Sequence, residues 1–313
     1  MNRLRVVEAP SRTPLELLVA DYLQHVRSAG KSRKTREFYS SVLNRIFLPW
    51  CRREGIADAA QLDQAAIDRF GTELLEEGGP RGQLSRVSVH TYLRTSNFFL
   101  SWARAAGAAT NGKAQLPKLS RKILEVLDRS EIRALEDAAP TERDKLLIRM
   151  LADSGLRISE LLGIRAQDLH EKGRDRFVRV KGKGDKERDV PLQPALYARL
   201  HRYATKGRPA DTYAENVFLA LRKRPGGDYH ALDVSGAEQM VRSAADRAGI
   251  NKRVYPHLLR HSFITWALRG GMNPLQLARI VGHEDLTMIN EVYAHLTSSD
   301  AAEALMKLFH DEE

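Results

Sequence analysis

The spacing of apolar residues constrains this fold more than any other feature of the sequence. From Pro14 to Gly107 apolar residues recur at intervals of three and four, as in Leu15, Leu18 and Tyr22, which is the period of a helix. At Arg176–Leu192 the residues alternate instead, on both sides of a short glycine turn, and that pattern predicts a β-hairpin. The sequence therefore predicts a mainly α protein with a small antiparallel β-sheet, an α+β fold.

Helix breakers divide the helical pattern into separate helices. Four are predicted in the first part of the chain, where Pro49 is expected to kink or end the second and the glycines before Pro80 end the third. These helices are one beginning near Pro14, then Ser32–Arg53, Ala60–Glu77 and one around Val89–Trp102. Later in the chain the predicted helices are Arg129–Ala138, Glu142–Ser154, Ser159–Ile164, Pro194–Ala204, Ser235–Ala248, His257–Gly270 and Pro274–Val281.

The length of the chain predicts two domains. Its 313 residues are about twice the usual length of one domain. The boundary is predicted at Ala108–Arg121, which is poor in large apolar residues and holds Gly112 and Pro117. The predicted limits are a helical domain at 12–107, a linker at 108–121, a mixed domain at 122–300 and a C-terminal tail at 301–313.

The composition indicates the cellular compartment and argues against a structural metal site. The lone cysteine, Cys51, cannot form an intramolecular disulfide or a thiolate metal cluster, which points to a reducing compartment. The first residues lack the apolar core of a signal peptide, and no run of about 18 apolar residues would span a membrane. A cytoplasmic protein without structural zinc is therefore expected.

The charge balance favours a polyanionic partner. Lysine and arginine number 50 against 40 acidic residues, for a formal net charge of +10 and a pI near 9.7. The first 115 residues carry 17 basic and 11 acidic residues, so the helical part is the more basic. Six basic residues near the ends of its helices are candidate contacts to nucleic acid, with a solvated charged face as the alternative for any one of them. They are Lys31, Arg33, Lys34, Arg36, Arg81 and Arg86.

An arginine follows a glycine break at the start of an apolar helix, in the segment SGLRISELL at 154–162. A helix N-terminus attracts anions, and the guanidinium of Arg157 placed there offers a bidentate fork for phosphate oxygens. Glu160, three residues further on, is placed to hold that arginine. A surface salt bridge is the alternative interpretation of Arg157.

The tip of the predicted hairpin carries three lysines, Lys181, Lys183 and Lys186. The glycines at 182 and 184 are expected to supply positive φ angles and to carry no Cβ that would block a close ligand. A lysine on such a turn can enter a groove of DNA and, where neighbouring cations lower its pKa, can deliver a proton. A solvated basic turn is the alternative.

Two further motifs carry titratable groups. His257 and Arg260 are three residues apart and share a helix face, whereas His261 lies on a neighbouring face. A structural histidine is the alternative for such a residue. Gly282 is expected to close a helix and to leave His283 at the turn, and Tyr293 follows ten residues later. For that tyrosine, packing in an interface is the alternative.

Taken in order, these residues resemble the catalytic set of the tyrosine recombinase family, which includes the phage integrases and the Xer recombinases. Lysine follows the first arginine by 26 residues, the His-x-x-Arg motif comes 74 later, and the glycine–histidine pair and the tyrosine come after that. The resemblance spans about Pro14 to Ala302. The positions that match the family are Arg157, Lys183, His257, Arg260, His283 and Tyr293.

The resemblance implies site-specific DNA recombination, as integration, excision or dimer resolution. Strand cleavage and rejoining would pass through a covalent 3′-phosphotyrosyl intermediate formed by Tyr293, without metal, ATP or any other cofactor. Arg157 and Arg260 would bind the non-bridging phosphate oxygens. His257 would act as the base and Lys183 as the general acid.

The resemblance also implies the partners. His283 would add a hydrogen bond to the phosphate. Lys181 and Lys186, which flank Lys183 on the hairpin, are predicted separately as phosphate contacts to DNA. A core-binding (SAM-like) domain and a catalytic domain would form a C-shaped clamp on double-stranded DNA at specific sites. Four protomers would assemble there as a homo-tetramer, with a paralogous recombinase as the alternative partner. Asp300–Phe309 would be a helix handed to a neighbour or packed on its own domain, and the protein would be nucleoid-associated in the cytoplasm.

Two other functions compete with recombination. A type IB topoisomerase uses a similar chemical set but relaxes supercoils as a monomer, and the helical N-terminal part and the Gly-Lys-Gly hairpin favour the recombinase. A non-catalytic DNA-binding or architectural protein would have no need of the six matched residues, so their joint presence argues against it.

Overall fold

Helices make up most of both halves of the chain. The computed structural model describes residues 13–80, 82–119, 125–182, 185–210, 212–223, 225–282 and 289. The chain divides into two units, Met1–Lys122 and Ile123–Glu313, next to the predicted linker. None of the described helices is long and apolar enough to cross a membrane.

The first unit is a helical unit built around an aromatic core. Trp50 and Phe70 lie with ring centroids 4.9 Å apart, and Phe47 packs edge-on against Phe70 at 5.3 Å and against Phe99 at 5.8 Å. These four side chains are fully buried, so they join the later helices of the unit in one core. The helices are α1 (Pro14–Ser28), α2 (Arg33–Val42), α3 (Leu48–Arg53), α4 (Gln64–Glu76) and α5 (Arg86–Ala105).

One prediction for this unit needs correction. Of the two outcomes predicted at Pro49, a kink or an end, the helix does not end there, because a π-helical turn at Leu43–Phe47 joins α2 to α3 just before the proline. A wider turn at that point accommodates the residue that cannot donate a backbone hydrogen bond. The predicted start of the third helix at Ala60 is wrong. The side chain of Asp63 accepts a hydrogen bond from the backbone N–H of Ala66 at 2.8 Å and so caps α4.

The first half of the predicted linker packs against the helical unit. The hydroxyl of Thr110 donates to the carbonyl of Leu62 at 2.8 Å, and the side-chain amide of Asn97 bonds the backbone of Ala114 in both directions at 2.8 and 2.9 Å. Ala114 is buried. Residues 110–114 therefore belong to the core of the first unit, although their sequence has no helical or strand period.

The second unit is predominantly helical with one small sheet, as predicted. The predicted helices agree with the structure to within a residue or two at their ends. They are α6 (Arg129–Asp137), α7 (Glu142–Ser154), α8 (Ile158–Gly163), α9 (Pro194–Arg202), α10 (Val234–Arg247), α11 (Pro256–Arg269) and α12 (Pro274–Val281). The strands are β1 (Leu169–Lys172), β2 (Asp175–Lys181) and β3 (Glu187–Pro191).

The sheet has one strand more than the predicted hairpin. The strands lie in the order β1-β2-β3, and both pairs are antiparallel. Val178 lies opposite Val190 on β3 and opposite Leu169 on β1. β1 has only four residues, LHEK, of which one is a large aliphatic residue, so its sequence carried too little alternation to predict a strand.

The core of the second unit surrounds α7. Leu146, Leu147, Ile148, Met150 and Leu151 are all fully buried, so α7 is apolar on more than one face and is enclosed by other elements. α11 packs on α7, and its Leu258 and Leu259 belong to the same buried cluster. The elements that carry the candidate site residues therefore belong to one closely packed core.

Candidate active site

Arg157 lies where α7 gives way to α8. Gly155 adopts the left-handed conformation at φ +63° and ends α7, and Arg157 occupies the N-cap of α8. Its Nη1 donates to Glu160 Oε1 at 2.8 Å, and its backbone N–H donates to the other carboxylate oxygen at 2.9 Å. Its Nη2 donates to the carbonyl of Gly282 at 3.0 Å. Glu160 thus holds Arg157, as the sequence predicts.

Arg260 lies on α11 and is only 1% exposed. Its Nη1 donates to the carbonyl of Gly155, and its Nη2 donates to the carbonyl of Val281 at 2.8 Å. Burial and the nearby charge of Arg157 lower the pKa of the guanidinium, which still carries its charge at neutral pH. Within the part of the chain that the structure describes, the buried Nε has no hydrogen-bond partner.

The carbonyls that hold the two arginines come from the ends of helices. Gly155 follows α7, while Val281 and Gly282 end α12. The last carbonyls of a helix have no partner within the helix and carry partial negative charge. They therefore satisfy Arg157 and Arg260 without neutralising their formal charge, and they fix both guanidiniums in place.

Arg188, on β3, is a member of this cluster that the sequence analysis missed. Its Nη1 and Nη2 bind the two carboxylate oxygens of Glu160, each at 2.9 Å. Its Nε donates to the carbonyl of Ile280 at 2.8 Å, and Nη2 also reaches that of Val281 at 3.2 Å. Strand alternation places Arg188 on the same face as the buried Val190. A charge on the core side of a strand requires a partner, and that signal could have identified it.

Among the residues that the structure describes, Glu160 is the carboxylate that lies between these arginines. Its side chain is 4% exposed. Burial by itself raises the pKa of this carboxyl, but the hydrogen bonds from Arg188 and Arg157 outweigh burial, and the pKa lies below its usual value. The cluster of Arg157, Arg188, Arg260 and Glu160 therefore keeps an excess of positive charge.

His257 lies at the start of α11, exposed, beside the arginines. Partial desolvation lowers the pKa of its imidazole, and the charges of Arg260 and Arg157 lower it further. It is therefore neutral at pH 7 and able to accept a proton. His261, one residue after Arg260, is buried, and burial lowers its pKa as well. The charge of Arg260, three residues along α11, thus acts on His257.

The hairpin tip is described in part. Lys181 and Lys186 are exposed, and Lys181 Nζ lies 3.7 Å from Glu187 Oε1. Lys183 and Gly184 lie outside the described residues. The expectation of a positive φ at Gly182 is wrong, because among the described residues of the tip the left-handed conformation is that of Asp185, at φ +57°. Aspartate tolerates this conformation better than most residues.

The last part of the candidate set also lies outside the described residues. α12 ends at Gly282, which is left-handed at φ +68°, so the predicted helix end is confirmed. His283, Tyr293 and Asp300–Phe309 follow beyond it and are not among the residues described. The structure thus brings together Arg157, His257 and Arg260.

The basic residues predicted in the first unit fall into two groups. Arg33 and Arg36 line a groove between α1 and α2, with a cavity volume of about 540 Å³, together with Arg27 and Arg45, which the sequence analysis missed. A spacing of four residues joins Arg33, Glu37 and Ser41 to Arg45 along one side of the helix, and that signal could have identified Arg45. The remaining candidates outside this groove are Lys31, Lys34 and Arg86, all exposed, and Arg81, which lies outside the described residues.

Among the described residues, no group of three or more histidine, cysteine or acidic side chains is placed to hold a metal ion. The charge in the candidate site is supplied by guanidinium groups.

Comparison with known proteins identifies relatives along nearly the whole chain. Residues 125–300 match the model of the phage integrase family. Tyrosine recombinase XerD of Chlorobaculum tepidum is 34% identical over 97% of this chain and 98% of its own length. Tyrosine recombinase XerC of Oceanobacillus iheyensis is 30% identical over 94% of this chain and 96% of its own length.

Solved structures share the fold. The Tn1549 transposon integrase in complex with a circular intermediate DNA matches 95% of this chain with a TM-score of 0.69 at 20% identity, over the whole of that chain. XerH recombinase bound to its difH substrate matches 92% of this chain with a TM-score of 0.66 at 19% identity, over 83% of that chain. The fold of this chain thus occurs in known structures.

Proposed function

The chain belongs to the phage integrase family and is a Xer-like site-specific tyrosine recombinase, and on that premise we propose that Arg157, Lys183, His257, Arg260, His283 and Tyr293 carry its chemistry. Neither the topoisomerase nor the non-catalytic alternative is favoured by these relatives. One observation supports the proposal above all. Two guanidiniums from separate elements are held by the carbonyls at the end of α12, with a neutral histidine beside them.

Cleavage begins with attack of the Tyr293 hydroxyl oxygen on the scissile phosphorus. A bond forms between that oxygen and phosphorus, the bond from phosphorus to the 5′ oxygen breaks, and a 3′-phosphotyrosyl link remains. The released 5′ hydroxyl of a partner strand then attacks the same phosphorus and releases the tyrosine. The phosphodiester energy is conserved in the covalent link, so the exchange needs no ATP.

Arg157 and Arg260 compensate for the charge on the pentacoordinate phosphorus. Arg157 has 37% of its side chain exposed and meets the phosphate first. Arg260 supplies positive charge from its buried position. Its Nε, a buried donor that has no partner among the described residues, donates to a phosphate oxygen. Because both groups are already held by backbone carbonyls, little reorganisation is needed when the transition state forms.

Two proton transfers complete the step. A tyrosine hydroxyl has an unperturbed pKa near 10, so it needs a base at neutral pH, and His257 accepts its proton. Lys183 gives a proton to the departing 5′ oxygen. His283, directly after Gly282, adds a hydrogen bond to a phosphate oxygen. Acid–base groups of this kind contribute roughly 10²–10⁴-fold each.

Double-stranded DNA is the proposed substrate. Phosphate contacts from the basic groove of α1 and α2 and from Lys181 and Lys186 supply affinity. We further propose a homo-tetramer on two DNA sites, with Asp300–Phe309 contributing to assembly, and a nucleoid-associated location in the cytoplasm. Two of the relatives are tyrosine recombinases, XerD and XerC, and the candidate roles are integration, excision and the resolution of DNA dimers.

The test is a suicide substrate with a nick beside the scissile phosphate, on which a covalent protein–DNA adduct accumulates. Wild-type protein is expected to form the adduct, and Tyr293→Phe is expected to bind the same DNA with unchanged affinity and to form none, because only the nucleophilic oxygen is lost. An adduct with the phenylalanine variant would show that another residue is the nucleophile. A wild-type protein that binds its site and never forms the adduct would exclude the proposed chemistry altogether.

A further inference from the structure

Arg188 makes more hydrogen bonds than either Arg157 or Arg260 within the described part of the chain. Its three guanidinium nitrogens make four hydrogen bonds, two to Glu160 and two to the carbonyls of Ile280 and Val281. One side chain on β3 thus joins the sheet, the N-terminal turn of α8 and the C-terminal end of α12. The family resemblance gave this residue no role.

We propose that Arg188 is a positioning residue for cleavage, which sets the charge and orientation of Arg157 through Glu160 and holds the end of α12 in register with it. The inference rests on the proposed function of Arg157. Arg188 does not contact the reacting phosphate in this scheme, since its side chain is 15% exposed and each of its three guanidinium nitrogens already donates to Glu160 or to a carbonyl of α12.

The first step is electrostatic. Glu160 binds both Arg157 and Arg188 through the same oxygen, Oε1. Without Arg188, the carboxylate would be left with Arg157 as its cationic partner and would hold it more tightly in an ion pair. The charge of Arg188 offsets that of Glu160, so the positive charge of Arg157 stays available to a phosphate. Removal of one partner from a buried ionic group also leaves an uncompensated charge.

The second step is geometric. Arg157 donates to the carbonyl of Gly282, and Arg188 donates to the two carbonyls before it. Side chains from β3 and from the start of α8 therefore both bind the C-terminal end of α12. Since His283 follows Gly282 directly, Arg188 also fixes the point from which that histidine leaves α12.

Gly282 provides the space that this arrangement needs. A Cβ at this residue would lie 2.6 Å from Cζ and from Nη1 of Arg188, closer than real Cβ contacts. The left-handed φ of +68° already favours glycine, but the contact with Arg188 is a separate requirement. A methyl group at 282 would displace the guanidinium without changing any charge.

The main experiment compares Arg188→Met with Arg179→Met. Arg179 lies on the adjacent β2, where it pairs with Asp189 at 3.0 Å, so its loss removes the same charge from the same sheet. Single-turnover cleavage on the suicide substrate is expected to fall by about 10- to 100-fold for Arg188→Met, as for other groups that orient a charged residue indirectly. DNA affinity should stay within about twofold, and Arg179→Met should cleave at the wild-type rate.

A second substrate separates positioning of Arg157 from positioning of the general acid. Sulfur in place of the bridging 5′ oxygen leaves as a thiolate, which needs no proton. This substrate should restore cleavage to Lys183→Ala and leave Arg188→Met impaired, because the non-bridging oxygens still need Arg157. Rescue of Arg188→Met by the sulfur substrate would overturn the proposal, because it would show that Arg188 positions Lys183 and not Arg157. Arg188→Lys should remain impaired, because an ammonium cannot fork to both carboxylate oxygens.

If Arg188→Met fails to fold, as judged by thermal unfolding, two glycine variants test the positioning role instead. Gly282→Ala puts a Cβ against Arg188, whereas Gly249→Ala, at a left-handed φ of +66° after α10, meets nothing within 4 Å. Both carry the same backbone strain. Only Gly282→Ala should lose cleavage rate at unchanged DNA affinity, and equal rates for the two variants would refute the positioning role. If wild-type protein forms no adduct, the proposed function fails before this comparison is reached.

Discussion

The two units use arginine in opposite ways. In the groove between α1 and α2, the side chain of Arg33 is 85% exposed and pairs with Glu37 of its own helix. In the second unit, Arg260 is 1% exposed and is held by two backbone carbonyls. An exposed pair in water contributes little and leaves the side chain free to adapt. A buried guanidinium is fixed before any ligand arrives.

This difference matches the two tasks that the proposed function gives to arginine. Adaptable surface charges suit the long, sequence-independent phosphate backbone, where affinity comes from many weak contacts. Fixed charges suit a single phosphorus atom whose charge develops during reaction. We therefore expect substitutions in the groove to change binding, and substitutions in the cluster around Arg157 and Arg260 to change rate.

The largest effect is expected for Arg157→Ala and Arg260→Lys. Each should lower the single-turnover cleavage of bound DNA by about 10²–10³-fold, because each removes a placed donor to the developing charge. Lysine at 260 keeps the charge but loses the planar fork that meets two carbonyls. DNA affinity, measured by gel shift, should change little. A loss of binding with normal cleavage of the bound fraction would break the comparison.

A smaller effect is expected from the groove. Arg27→Ala, Arg36→Ala and Arg45→Ala should each weaken DNA binding and reduce the slope of log K against log salt by about one unit, because each removes one phosphate contact. Cleavage of the bound complex should stay at the wild-type rate. Arg69→Ala is the matched control, since Arg69 is exposed and pairs with Glu54 outside the groove. An equal change of slope in that variant would show that the groove has no special part in binding.

The smallest effect concerns the pKa of His257. Desolvation and the charges of Arg260 and Arg157 lower this pKa, so the imidazole stays neutral below pH 6.5 and becomes protonated only as the pH falls further. NMR titration of the histidine ring protons should give a pKa below 6.5. Arg157→Gln should raise it by removing one cation, while Arg247→Gln, on α10, should leave it unchanged. A pKa unmoved by Arg157→Gln would mean that the cluster exerts no field on its neighbour.

Local signals sufficed for the helices of the second unit. The segment Glu142–Ser154 was predicted with the bounds that the structure has, and so was Pro274–Val281. Each has a strong apolar period and a clear stop, in both cases a glycine in the left-handed conformation. Where the local signal was short, prediction failed. β1 has four residues, and the cap of α4 at Asp63 lies within a run that also forms a short 3₁₀ turn at Ala59–Gln61.

The sequence by itself determined the family and the candidate residues, because a set of residue types in a fixed order can be recognised without any knowledge of the fold. That set is Arg157, Lys183, His257, Arg260, His283 and Tyr293. It also determined that Glu160 holds Arg157, since residues three apart at a helix start are neighbours whatever the rest of the chain does.

Only the tertiary structure decided which group balances Glu160. Arg188 is 28 residues from Glu160 and 92 from Ile280, and nothing local links the three. Their contact depends on how β3 packs against α8 and α12, and on a glycine at 282 that leaves room for the guanidinium. Periodicity predicts which face of an element is buried, but the partner that a buried charge meets there is set by packing between distant segments.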